Sequence, residues 1–407
     1  MRYKPVGTWV SAFGFLAIIV ATLTPVLGGG GGVPALCLLC QSRGTADFLS
    51  NILLFMPLGF GLRCLGWSLR RAAPAAAMLS LTVETLQLLV VTGRDPSLGD
   101  LIANSVGGPA GWMVAHTLTW WYPRAQGAVA RTLGFTAVGL GVLLGGLSLL
   151  VPAPSRITYF IQWTADLGHL EHYGGRVLES KLGAYELHGA TRVEPSESLR
   201  GSIHEPIWNV RFVAGAAPSA LAPIVSIYDG LQREVVLLGA SGPDLVYRQR
   251  LRAAVLRFDQ PDLRVWSAFA GVQAGDAVTL SLDADRARAC ARINTSEQCI
   301  HGYSVGDTWA LLMLPDRWGR IARTAMSAAW LFFIFLPAGF LAYTTADCCV
   351  SAIVVLLGLL AGPPAMGFGI TPAWQVLLSL AGLLVGYSAT LVFRSRRQSI
   401  ARSVLST

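Results

Sequence analysis

The chain has 407 residues, of which 53% are hydrophobic and only 13% charged, with a formal net charge of +8 and a mean hydropathy of +0.53. Ordinary globular domains carry about 25% charged residues, so this balance excludes a wholly soluble protein and a disordered one. Acidic and basic residues cancel between Val151 and Ala325, which leaves the excess positive charge to the hydrophobic segments; nucleic-acid binding would need a basic face on a soluble fold, and no such partner is expected.

A helix needs about 20 apolar residues to cross the hydrocarbon core. Runs of that kind lie near Thr8–Leu27, Asp47–Gly66, Ala73–Thr92, Leu98–Leu118, Thr132–Val151, Ala322–Tyr343, Cys348–Gly362 and Pro372–Phe393. The first has no clear small-x-small cleavage site and is followed by further spans, so it reads as an uncleaved anchor. Basic residues flank the runs at Arg2 and Lys4, at Arg63, Arg70 and Arg71, at Arg124 and Arg131, and at Arg394, Arg396, Arg397 and Arg402. With eight crossings all four clusters fall on one side, which the positive-inside bias makes the cytoplasm. Trp120, Trp121 and Tyr122 suit an aromatic belt on that side. Both termini are then cytoplasmic, and the block between the fifth and sixth helices is extracytoplasmic.

Carboxylates inside a membrane cost a few kcal/mol and usually face the bundle interior or water. In the hydrophobic part the acidic residues are Asp47, Glu84, Asp95, Asp100 and Asp347. On the second helix Asp47, Asn51 and Phe55 share a face, and Pro57 and Gly59 should bend it. On the third, Ser80, Glu84 and Gln87 share a face. The loop G-R-D-P-S-L-G-D then leads into the fourth helix, where Ser97 is a candidate N-cap and Asp100 sits in the first turn. Asn104, Gly107, Gly108 and Gly111 continue that face, small enough for another helix to approach closely. Arg94 is the cation nearest in sequence to these carboxylates.

The three blocks Asp47–Gly59, Ser80–Gln87 and Arg94–Gly111 read D-x-x-x-N-x-x-x-F-x-P-x-G, S-x-x-x-E-x-x-Q and R-x-P-S-x-x-D-x-x-x-N-x-x-G-G. In that order and spacing they resemble the VanZ family, over about residues 5 to 150. The resemblance implies a bacterial envelope membrane protein with a link to teicoplanin resistance and a polar site shared by these helices; it supplies no reaction. By motif match Glu84, Arg94 and Asp100 are the candidates for chemistry, and Asp47, Asn51, Gln87 and Asn104 for binding; Asp95 falls at a variable position. Lys4 and Lys181 are the only lysines beside many arginines, a bias in keeping with a GC-rich bacterial genome.

F-M-P-L-G-F at 55–60 recurs as F-L-P-A-G-F at 335–340, and the Gly108 region aligns with Gly382. Helices six to eight therefore read as a degenerate repeat of helices two to four, without the carboxylates and the arginine.

Between these sets, short β-rich runs alternate with turn signals. Ile224–Tyr228 and Glu234–Leu238 flank Asp229-Gly230 as a hairpin, with further strands at Leu245–Arg252, Leu263–Phe269, Ala277–Leu282 and Ala287–Ile293. The runs I-V-S-I-Y-D-G, V-V-L-L-G and D-L-V-Y-R-Q-R resemble concanavalin A-like, laminin-G-like jelly rolls over about residues 175–315, a class whose members often bind glycans, proteins or Ca²⁺. Arg248, Arg250 and Arg252 alternate and read as a solvated strand face. Trp208, Tyr228 and Trp266 read as core rather than sugar platforms. H-L-E-H at His169 to His172 has a helical ligation spacing but no third ligand, so no metal and no cofactor is expected. Of the seven cysteines, Cys290 and Cys299 are candidates for a disulfide in an oxidising compartment. Cys37 and Cys40 read as chance apolar cysteines, and Cys64, Cys348 and Cys349 as packing.

The expected fold is thus an α-helical polytopic membrane protein of about eight transmembrane helices with an inserted all-β sandwich of jelly-roll type. A VanZ-like transmembrane domain spans 1–151, an extracytoplasmic sandwich 152–321, three C-terminal helices 322–393 and a basic tail 394–407, in a bacterial inner membrane. Three functions compete: an envelope protein whose sandwich binds a glycan or other surface ligand, an enzyme acting on a lipid-linked envelope intermediate through Asp100, Glu84 and Arg94, and a transporter. No Walker motif, nucleophile elbow or metal-ligand cluster is present.

Overall fold

The computed structural model describes residues 4–25, 37–39, 42–92, 97–117, 125–167, 170–313 and 318–405. Two compact units emerge: residues 1–122 with 256–259, and residues 123–255 with 260–407.

The first unit is a four-helix bundle of α1 (Lys4–Leu23), α2 (Gly44–Cys64), α3 (Leu69–Leu89) and α4 (Leu98–His116). Its core is small and apolar: Ile18, Phe55, Leu58, Leu62, Ala72, Ala76 and Val83 pack together. Lipid-facing surfaces give no hydrophobic drive for helix association, so close backbone approach must supply the contact. Glycines supply it. A Cβ added at Gly59 on α2 would stand 1.8 Å from the Gly108 carbonyl oxygen on α4, and one at Gly111 1.9 Å from that of Met56.

The second unit begins with α5 (Ala128–Leu149) and then forms twelve strands with two short helices: β1 (Tyr159–Trp163), β2 (Arg176–Leu182), β3 (Tyr185–Glu186), β4 (Thr191–Val193), α6 (Glu197–His204), β5 (Ile207–Val213), β6 (Leu221–Asp229), β7 (Glu234–Ser241), β8 (Asp244–Gln249), α7 (Arg252–Val255), β9 (Leu263–Val265), β10 (Ala277–Ala284), β11 (Arg288–Ile293) and β12 (Ser296–His301). They make two six-stranded antiparallel sheets, ordered β4-β1-β6-β7-β8-β9 and β12-β11-β10-β5-β2-β3, a sandwich-like domain inserted between helices. The expected hairpin around Asp229-Gly230 is β6–β7, paired from Leu221–Ser241 to Tyr228–Glu234. In the second sheet β5 and β10 alternate buried and exposed residues, one face inward. In the first, β6 and β7 are covered on both faces, which explains their unbroken aliphatic runs.

Three helices close the chain: α8 (Arg320–Leu341), α9 (Thr345–Ala365) and α10 (Ala373–Leu405). Thr344 and Asp347 form a reciprocal capping box on α9. The last helix runs beyond Phe393, because residues 394–405 hold no Gly or Pro and include four helix-tolerant arginines.

Among the described residues, seven helices are long and apolar enough to cross a membrane: α1, α2, α3, α5, α8, α9 and the Ala373–Ser395 stretch of α10. The remaining long helix, α4, carries Asp100, Asn104 and a run of glycines. The protein is a multi-pass membrane protein.

Three details differ from expectation. Cys37 is disulfide-bonded; the apolar leucines of C-L-L-C conceal this in the sequence, and Cys40 lies outside the described residues. The arginines at 248, 250 and 252 do not share one strand face: β8 ends at Gln249, and Arg252 opens α7. Glu171–Gly174 is not helical, and His169 lies outside the described residues. Cys290 and Cys299 do form a disulfide, directly across the β11–β12 ladder. Since that ladder already closes the loop, Cys290→Ser is expected to cost only about 2 kcal/mol, read as a modest fall in Tm; a loss of the folded sandwich would contradict this.

Candidate functional site

Helices α2, α3 and α4 bring their polar faces together at one end of the first unit. Ser97, extended in backbone, caps α4 by accepting the Asp100 N–H at 3.0 Å. Its own N–H donates to the Glu84 carboxylate of α3 at 3.0 Å. Asn51 of α2 donates to Asp100 at 2.6 Å. Ser97 therefore ties Glu84 of α3 to the first turn of α4, through its N–H to the Glu84 carboxylate and its hydroxyl to the Asp100 backbone, and α2 joins through Asn51 and the Asp100 carboxylate. Glu84 is buried and Asp100 partly exposed, so the cluster has a solvated and a covered side.

The other predicted residues surround it in different ways. Asn104 lies one turn further along α4, 1% exposed, and its amide oxygen has no hydrogen-bond partner among the described residues. Ser80 on α3 is wholly buried, and its hydroxyl too has no partner among them. Gln87 does not join the cluster; it donates to the Thr22 carbonyl at 2.9 Å and ties α3 to α1. Asp47 sits half-exposed at the start of α2, 3.8 Å from Arg43. Arg94 lies outside the described residues.

Two contributors have no signal in the sequence. Arg43 pairs with Asp259 at 2.7 Å, and the Arg257 carbonyl accepts from Thr45 N and Ala46 N at 3.1 and 3.3 Å, so two residues distant in sequence hold the start of α2. The Cys37–Leu39 segment lies on the start of α4: Cys37 O accepts from Gly99 N at 3.1 Å, and a Cβ at Gly99 would meet Leu38 O at 2.1 Å. The spacing that makes residue 99 a glycine is thus a loop contact beside Asp100.

The sequence model of the VanZ/LLP1 family matches residues 12–120, the stretch that holds this cluster. The chain carries a VanZ-like domain. No protein with a curated description matches the chain, and no solved structure does.

The helix-pair geometry of the VanZ-like domain recurs in the second unit. Where Gly59 faces Gly108 O, Gly339 of α8 faces Leu383 O of α10, also at 1.8 Å; Gly107 against Ile52 O corresponds to Gly382 against Phe332 O, and Gly111 against Met56 O to Gly386 against Leu336 O. Gly382 therefore corresponds to Gly107, one residue from the alignment that the motif alone suggests. On this correspondence Asp47, Asn51, Asp100 and Asn104 meet Ser327, Leu331, Gln375 and Ser379. These positions are occupied differently. The 3-10 turn Val305–Leu311 closes over them: Gln375 accepts from Gly306 N at 3.1 Å and donates to Ser304 at 2.8 Å, and Ser327 accepts from Trp309 Nε1 at 3.0 Å.

In the sandwich, Trp208 is wholly buried and cannot stack on a sugar; Trp266 is covered by the Arg264 guanidinium, 5.3 Å from its ring. Among the described residues the group Cys290, Glu297 and Cys299 has metal-ligand spacing, but its two thiols are spent in the disulfide.

Proposed function

We propose that this protein works in a bacterial cell envelope, with the VanZ-like cluster at the extracytoplasmic end of its helices engaging the polar headgroup of a lipid-linked envelope component. The observation that carries the reading is the Glu84–Ser97–Asp100–Asn51 chain, set beside its counterpart in the second unit. One set keeps the carboxyl groups of Asp47, Glu84 and Asp100 beside the buried Asn104; in the other, Ser327 and Gln375 stand at the positions of Asp47 and Asp100 and hold the 3-10 turn of the sandwich. The carboxyls of Glu84 and Asp100, on adjoining helices joined through Ser97, are groups suited to acid–base work, and the Arg94 guanidinium is suited to clamp a phosphate or carboxylate. In this reading helices α8 to α10 are a faded duplicate that serves as scaffold. The four basic clusters support cytoplasmic termini and an extracytoplasmic sandwich, in the inner membrane. A part in the response to glycopeptides such as teicoplanin follows the family, and the sandwich would present a glycan or other envelope ligand to the site.

The test compares a deletion strain complemented with wild type, Asp100→Asn or Glu84→Gln at matched membrane levels, by mass spectrometry of envelope lipids and wall precursors. The expected outcome is that one precursor accumulates in the deletion and in both variants, with the variants losing at least about 100-fold of the processing rate, a typical general acid–base contribution. Unchanged precursor pools in both variants would end the reading.

A further inference from the structure

The second unit holds a cavity of about 610 Å³ that the proposed function does not use. Its floor is the β9 edge with residues 299–303 of the second sheet, and its wall is the first turns of α8 and α10. Arg264, Arg288, Arg320 and Arg323 line it, with Trp266 and Trp374. The two aspartates that also reach it are already engaged. Asp262, with no side-chain exposure, pairs with Arg264 at 3.1 Å and with Arg323; Asp307 accepts from Ser304 N and Oγ at 2.8 and 2.7 Å. Arg288 and Arg320 are exposed and have no carboxylate partner among the described residues. Arg264 is 91% covered, and its Nε has no partner among the described residues, although its terminal nitrogens are bonded to Asp262 and Asp244.

A cleft with surplus guanidinium and a buried, incompletely satisfied donor is built for an anion. Planar guanidinium forks match phosphate oxygens in pairs, and the volume lies in the range of small-ligand sites, roughly 300–1,000 Å³. Its position decides the kind of anion. Arg320 opens α8 and Trp374 is the second residue of α10, both candidate membrane spans. The cavity therefore lies where two spans begin, at the level where Trp rings and snorkelling arginines meet lipid headgroups. We propose that this cavity binds the phosphate-bearing headgroup of an anionic membrane lipid, one of net negative charge such as phosphatidylglycerol, held by Arg288 and Arg320 at its mouth and Arg264 at its base. The proposal stands on the second unit alone and does not depend on what the VanZ-like cluster does or on which side of the membrane the sandwich lies.

The experiment titrates the purified full-length protein in neutral detergent with phosphatidylglycerol, with phosphatidylcholine and with inorganic phosphate, and counts bound molecules by native mass spectrometry. Phosphatidylglycerol should bind at one saturable site. The Arg288→Ala/Arg320→Ala double variant should bind it at least about tenfold more weakly, a loss of roughly 1.4 kcal/mol or more for two charge-assisted contacts. Lysine at both positions should restore part of the affinity. An Arg156→Ala/Arg176→Ala variant, which removes the same charge elsewhere on the exposed surface, should leave binding unchanged. Both removed mouth arginines are exposed, so an unaltered Tm is expected and separates lost binding from lost folding. Equal binding of phosphatidylglycerol by wild type and the mouth variant, or equal retention of phosphatidylcholine, would overturn the proposal; displacement of the lipid by inorganic phosphate would assign the cavity to a soluble anion and overturn it as a lipid site.

Discussion

Gly59→Val is expected to remove most of the folded protein from the membrane, and Gly59→Ala to lower its Tm sharply. The β-carbon would stand 1.8 Å from the Gly108 carbonyl oxygen and 2.7 Å from the carbonyl carbon. Those are backbone atoms of a neighbouring helix, so no rotamer change relieves the contact; α2 and α4 must separate. Separation would also part Asn51 from Asp100, since that 2.6 Å bond spans the same helix pair. Overpacking a core commonly costs about 1–3 kcal/mol, and a forced helix displacement belongs to the rarer class above about 4 kcal/mol. Gly134→Ala is the control: a Cβ there meets nothing within 4 Å, and a helical Gly-to-Ala change should instead stabilise by about 0.5–1 kcal/mol. Thermal melts in detergent with quantified membrane levels check both. A Gly59→Ala protein that melts with the wild type would refute the close-packing account.

Asp262→Ala is expected to destabilise the second unit by about 3–5 kcal/mol, the cost of removing the shared carboxylate from a buried ion-pair network. Asp262 is shared by Arg264, itself 7% exposed at the side chain, and by Arg323 at 17%. Burial opposes ionisation of Asp262, but Arg323 and Arg264 overcome it and hold the carboxyl below its usual range. A carboxylate depressed in the folded state stabilises above its unfolded value near 4 and loses that contribution as pH falls through the folded value. Wild type should therefore become less stable on acidification below about pH 4, while Asp262→Ala should be weaker at neutral pH and flatter over that acid range. Melting curves from pH 7 downward read both. Parallel pH profiles for wild type and variant would dissociate the carboxylate from the stability of the unit.

The polar cluster shows how far residue patterns reach. Glu84, Asp100 and Asn51 were recognisable because carboxylates in apolar helices are costly and fall on shared faces, and Ser97 because an N-cap has a sequence signature. Gln87 has the same spacing as Glu84, yet it bonds to a backbone carbonyl of α1, since one helix face is wide enough to meet two different neighbours. Periodicity reports the face of a helix and not which helix lies opposite. The loop residues Cys37–Leu39 and the pair Arg43–Asp259 had no periodicity to betray them. The recurring Phe-Pro-Gly segments were visible in the sequence, but the register of the recurring helix contacts was not: the backbone contacts of Gly107 and Gly382 set it, and these depend on where two helices touch.

Composition and hydrophobic run length by themselves determined that this is a multi-pass membrane protein with an inserted β domain, because about 20 apolar residues in a row have few other uses and alternating runs with turn residues have few other folds. The VanZ-like blocks determined which helices carry the polar residues. Only the tertiary structure decided that Ser97 stands between Glu84 and Asp100, that Gln375 and Ser327 hold a turn of the sandwich where the VanZ-like helices carry Asp100 and Asp47, and that arginines from β9, β11 and α8 line one cavity. Each of these depends on distances between segments far apart in the chain, and such distances are set by packing, which no local pattern of residues encodes.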